Sequence, residues 1–130
     1  MLAIEVVSTT NPNKDYVVAP DKYAASGTGE LWIFDPLLAG PRAQGGPFRL
    51  QVWQRDDQGR LLRTYAGPGP ATSRFLGAHL VVTDDGSNLR IADDAEGTRL
   101  WLTGEEAERA RSEALLARIA ALEAARDRRG

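Results

Sequence analysis

Cysteine is absent from the 130 residues, which removes disulfides, thiolate catalysis and cysteine-rich zinc sites. Histidine is nearly absent as well: His79 stands alone, so a pair of imidazoles holding a metal or forming a catalytic dyad is excluded. Neither sign of charge is in excess. With 16 basic and 18 acidic side chains the net charge is -2, and no global positive field draws the chain to nucleic acid or anionic lipid. No charged-then-apolar leader opens the chain, and no apolar run approaches the roughly 20 residues of a membrane span. These absences predict a soluble, cytoplasmic protein with no membrane contact, and any contact with DNA must be local.

The length suits one core, able to bury about two-thirds of the unfolded surface. Leu2-Ala3-Ile4-Glu5-Val6-Val7 reads as a strand buried on both faces. A chain seldom opens inside a central strand, so the reading expects strands before it to be missing. After a turn-rich loop over residues 8–15, Pro20 begins a short helix to about Ser26, with Gly27 as a left-handed cap. Glu30 to Asp35 is the next strand, which implies a parallel pair with a right-handed crossover. Residues 37–47, rich in Gly and Pro, form a loop or lid. Phe48 to Val52 and Leu61 to Tyr65 then make a hairpin turning at Asp57-Gln58-Gly59. Three further strands are expected at Ala78–Thr83, Asn88–Ala92 and Thr98–Leu102.

The tail changes character. Thr103-Gly104-Glu105-Glu106 is a capping box, and an Ala-, Glu- and Arg-rich helix follows almost to Gly130. Leu115, Ile119 and Leu122 have the spacing of a coiled-coil seam, interrupted by Ser112 and Arg126. The helix either lies on its own domain, frays into solvent, or joins a homodimer. The domains are therefore 1–102 and a helical segment 103–130.

Glu5 is the most informative residue, because a carboxylate in an apolar strand loses hydration unless something compensates it. It is salt-bridged, faces an uncovered edge, or binds a hard divalent cation. Asp84-Asp85-Gly86 and Asp93-Asp94-Ala95-Glu96-Gly97 lack calcium-loop spacing and read as turns. Trp32, Trp53 and Trp101 read as core or sheet-face aromatics, since no basic stripe surrounds them. Arg42, Arg49, Arg55, Arg60 and Arg63 are a candidate phosphate-facing patch, although Asp56 and Asp57 lie among them.

Ile4-Glu5-Val6-Val7-Ser8, taken with Asp15, Tyr23, Gly27 and Glu30-Leu31-Trp32-Ile33-Phe34-Asp35-Pro36, resembles the Uma-two family of restriction endonucleases in the PD-(D/E)xK nuclease superfamily. Family members show E-V-x-S, a short helix ending Y-A-x-x-G, and E-Y-W-x-x-D-P. Residues 76–80, 89–93 and 97–100 resemble its C-terminal hairpins less sharply, so the likeness covers nearly the whole chain, as the C-terminal portion of such an enzyme without its first core strands.

The resemblance implies an α+β fold: a restriction-endonuclease-like mixed sheet, truncated at its N-terminus, with added antiparallel hairpins and a long C-terminal helix. It also implies DNA as partner and a metal-dependent phosphodiester hydrolysis, in which Mg²⁺ or Mn²⁺ activates water. Glu5 and the carbonyl of Val6 would be the ligands. Two departures stand against activity: the partner Asp belongs on a strand before Glu5, and the family's helix lysine falls at Ala19. Lys22, one helical turn further on, and Lys14, in the loop, are the remaining candidates for its charge. The expectation is an impaired or inactive endonuclease, with a non-catalytic binding or assembly module as the alternative.

Overall fold

The computed structural model describes residues 1–7, 10, 14–42 and 46–129; for Lys14, Asp15 and Arg129 it describes the backbone alone. The chain divides into two units, residues 1–100 and residues 101–130. It is a mixed α+β protein. Among the described residues no helix is long and apolar enough to cross a membrane.

The first unit opens with β1 (Leu2–Val6), a π-helical turn (Lys14–Val18), α1 (Ala19–Ala24) and β2 (Glu30–Phe34). Next come β3 (Leu50–Arg55), β4 (Leu61–Gly67), β5 (Ala71–Ser73), β6 (Ala78–Thr83) and β7 (Asn88–Ala92). One sheet has the order β1-β2-β3-β4 and the other β5-β6-β7. The β1–β2 pair is parallel, as the intervening helix predicts, and the other pairs are antiparallel.

All five residues of β2 are buried, because both faces of the first sheet are covered there. Leu31 and Ile33 pack with Val7 and Leu61, beside Tyr16 and Tyr23 from the helical connection. Trp32 on the opposite face joins Leu50, Val52, Ala71 and Leu80, so the second sheet closes that side. A bulge makes both clusters possible. Val52 faces Tyr65 and Trp53 faces Arg63, which leaves Thr64 as the extra residue of β4. Leu61 and Tyr65 would otherwise share one face by the two-residue period; the extra residue sends them to opposite cores.

The core also holds a carboxylate. Glu30 is 1% exposed. Its Oε1 accepts Gln54 Nε2 at 2.8 Å, the Arg74 amide at 2.8 Å and the Phe75 amide at 3.3 Å. Its Oε2 accepts Trp32 Nε1 at 2.8 Å and the Ser73 hydroxyl at 2.5 Å. Burial alone pushes its pKa up; the donors from Ser73, Trp32, Gln54 and Phe75 outweigh that and hold it below the ordinary 4.5.

Several expectations change. β1 is an edge strand, not one buried on both faces: Ile4 and Val6 are exposed, while Ala3, Glu5 and Val7 turn inward. Gly27 does not adopt the left-handed conformation. Arg55 ends α1 instead, donating to the carbonyls of Tyr23, Ala24 and Ser26. The strand expected over Thr98–Leu102 shrinks to one bridge between Leu100 and Ala92. Asp94 explains this, since it accepts the amides of Thr98 and Arg99 and curls the backbone into a turn. β5 was not foreseen, and the strand expected from Phe48 begins at Leu50.

The second unit is α2 (Gly104–Arg129) with its lead-in. The capping box forms as its spacing predicts. The Glu106 amide donates to Thr103 Oγ1 at 3.1 Å, and the Thr103 amide donates to Glu106 Oε1 at 2.9 Å.

Glu30→Gln should destabilise the first unit by about 3 kcal/mol, because its amide presents donors to donors in a buried site. Urea unfolding at neutral pH measures this. A folded-state pKa below 4.5 means that the wild-type stability from Glu30 is complete above that pH and is lost as pH falls through the depressed folded value. Stability of the Gln variant should therefore fall less on acidification than that of the wild type.

Candidate functional site

Parallel pairing sets Glu5 of β1 beside Ile33 of β2, with its side chain on the face where α1 packs. The helix follows β1 closely and carries Ala19, Lys22 and Tyr23. Pro20 suits its first turn, where a missing N–H costs nothing, and Ala19 and Pro20 are its buried residues.

The Tyr23 hydroxyl donates to Glu5 Oε1 at 2.6 Å. This hydrogen bond is the largest cause of a Tyr23 pKa above the ordinary 10.0, since ionising the phenol would discard the bond and set two anions together. Glu5, Val18, Ala19 and Lys22 line a cleft of about 170 Å³. The Lys22 ammonium stands 5.1 Å from the centroid of the Tyr23 ring, within cation–π range. A carboxylate and an ammonium thus line one small cleft, and a phenol is hydrogen-bonded to the carboxylate.

Two of the three residues expected to carry chemistry, Glu5 and Lys22, meet here. The side chain of Lys14, the third, lies outside the described residues. Val6, whose carbonyl the resemblance assigns to a metal, is the last residue of β1 and has an exposed side chain. Ala19 lines the cleft with Lys22, so the two positions share a face, as their spacing requires. Tyr23 was legible as part of a motif and not as the partner of Glu5. A phenol one residue from Lys22 on a helix packed over β1 was the available signal.

The fit to a divalent metal is partial. Glu5 offers hard oxygens, one of them already engaged by Tyr23. Among the described residues no group of three His, Cys, Asp or Glu side chains comes together. Among the described residues Glu5 is the one carboxylate lining the cleft.

The other candidates have structural work. Arg49 donates to the carbonyls of Pro36 and Asp85, and its guanidinium occupies the space a side chain at Gly86 would need. Arg55 caps α1, Arg60 pairs with Asp56 at 3.2 Å, and Arg63 stacks over Phe48 and Trp53. Arg49 and Arg55 are thus committed to backbone carbonyls, whereas Arg42, Arg60 and Arg63 are exposed.

Asp94 accepts from the Thr98 hydroxyl and the Arg99 amide, which lower its pKa to about 2, and Asp84 and Asp85 sit in a left-handed turn. Both acidic loops are turns. Trp32 is core and Trp53 packs against the Leu31 and Ile33 cluster from β3, whereas Trp101 is 40% exposed. His79 lies in β6 opposite Thr72 and Ala92.

No family model, no curated protein and no solved structure matches this chain.

Glu5→Ala should lower the Tyr23 pKa toward 10.0, because the acceptor and its charge both go. Phenolate absorbance followed against pH, with Tyr23→Phe assigning the transition, measures it. An unchanged titration would mean that the Glu5–Tyr23 bond does not persist in solution.

Proposed function

We propose that the chain is a nuclease-like module of the PD-(D/E)xK type whose site is half assembled: Glu5 is the retained metal-ligating carboxylate, and the chain does not hydrolyse DNA unaided. The supporting observation is the position of Glu5 on the inward face of β1, in a parallel pair with β2, under a helix that brings Lys22 to the same cleft. That is the strand, helix and strand arrangement in which the resembled enzymes carry their Glu. Among the described residues no strand pairs with the outer edge of β1, an edge that could take a strand bearing the partner Asp.

Mg²⁺ or Mn²⁺ is the cation this site would take, with Glu5 and the Val6 carbonyl as protein ligands and water as the rest. Tyr23 competes with the metal for Oε1. Lys22 supplies the charge that Ala19 lacks, at the cleft rim. The missing carboxylate matters more than the missing lysine. Losing one electrostatic donor costs about 10²–10³ in rate, whereas losing a ligand removes the metal and the alignment of its water. A second reading, a binding or assembly module, is favoured by the exposed apolar residues of α2.

Mn²⁺ added to labelled protein should broaden resonances of Glu5, Val6 and Tyr23 before those of Asp84, Asp85, Asp93 and Asp94. Earlier broadening at the turns would remove Glu5 from the proposal. In a supercoiled-plasmid assay with Mg²⁺ or Mn²⁺, the chain and its Ala19→Lys variant should nick no faster than Glu5→Ala. Nicking by the unmodified chain that Glu5→Ala abolishes would show a complete site.

A further inference from the structure

The long helix α2 exposes apolar side chains that are unusual on a solvated surface: Leu115, Leu116, Ile119 and Leu122 are 60, 66, 43 and 62% exposed. Three of them belong to one seam. Glu105, Glu108, Ser112, Leu115, Ile119, Leu122 and Arg126 follow one another at alternating spacings of three and four, so they lie along one stripe of the helix. The stripe is acidic at its start, apolar at its centre and basic at its end.

We propose that α2 pairs with α2 of a second copy of this chain in antiparallel orientation. Set antiparallel about the middle of the apolar stretch, Leu115 meets Ile119 of the second copy, Ser112 meets Leu122, and Glu108 meets Arg126. Each contact occurs twice by symmetry. Along one flank Arg109 also faces Glu123 of the second copy and Leu116 faces Leu116; along the other Arg118 faces Arg118, one repulsion against the four attractions of the Glu108–Arg126 and Arg109–Glu123 pairs. A parallel, in-register pair would instead set Glu105 on Glu105, Glu108 on Glu108 and Arg126 on Arg126. Charge therefore selects the orientation, and the Leu and Ile side chains drive the association.

The charge gradient has another use, since acid at the start and base at the end suit the dipole of a lone helix. That use does not account for the apolar centre. Within the helix Glu105 pairs with Arg109 and Glu108 with Arg111, both at 3.0 Å. All four side chains are exposed, so these contacts are weak and leave both glutamates open to a second copy. The pairing is independent of the nuclease reading.

Light scattering on the full chain across concentration should show a monomer–dimer equilibrium. Glu108→Arg or Arg126→Glu alone should weaken it on the order of tenfold, by turning two attractions into repulsions. The double variant should restore it, which a parallel pair would not do. Orientation is read independently by cross-linking, because the chain has no cysteine of its own. Ser112→Cys mixed with Leu122→Cys should form a disulfide under mild oxidation. Neither should do so alone, since like positions would stand about 15 Å apart along the axis. A monomer at every concentration, as when the stripe lies on the chain's own sheets, overturns the proposal. So does cross-linking of each single variant to itself.

Discussion

The first unit depends on one buried anion. The Glu30 carboxylate receives donors from its own strand through Trp32, from β3 through Gln54, and from the β5 end through Ser73, Arg74 and Phe75. Apolar contact between the sheets would allow them to slide. An anion that is costly to bury unless every donor is in place fixes where the β5 turn sits against β2 and β3. Gln54 also reaches the Thr72 carbonyl, which strengthens that register. Asp35 does similar work at the other end of β2: 0% exposed, it accepts the Tyr16 hydroxyl and the amides of Ala39 and Gly40. Gly40 is required there because the Tyr16 ring fills the space where its Cβ would stand.

Much of this was legible as pattern and not as cause. The run from Glu30 to Pro36 stood out as a motif, and nothing in it showed what its two acids would bond to. Both prove to be structural, because an acid at the end of a buried strand can collect amides from the loops around it. Ala78–Thr83 and Asn88–Ala92 were readable to the residue, since alternation and turn chemistry agree there. Residues 98–102 misled because Thr98 and Trp101 carry strand propensity, while Asp94 sets the backbone locally. β5 has three residues, too few for any period to show.

The candidate site was legible in its acid and not in its surroundings. An acid inside Ile4-Glu5-Val6-Val7 looks buried on both sides only if the strand is central. Since β1 is an edge, Ile4 and Val6 are 53 and 60% exposed, and Glu5 needs less compensation than its neighbours suggest. Strand hydrophobicity reports the burial of one chain segment and says nothing of how many strands flank it. Tyr23 could not be recognised as its donor, because the pairing depends on how α1 lies over the sheet.

The carboxylates of the first unit can be ranked by the donors that hold them, and the ranking separates structure from chemistry. Glu30 has five, Asp35 has three, and Asp94 is held by the backbone and side chain of its own turn. Moving any of these to a new ligand would strand several buried or turn-forming donors. Among the described residues the donor to Glu5 is the Tyr23 hydroxyl, which lies on a short helix and can turn to water when displaced. A group that exchanges its partner at low cost is the one free to bind something else. On that ground Glu5 can change its partner at lower cost than either of the two acids buried at the ends of β2.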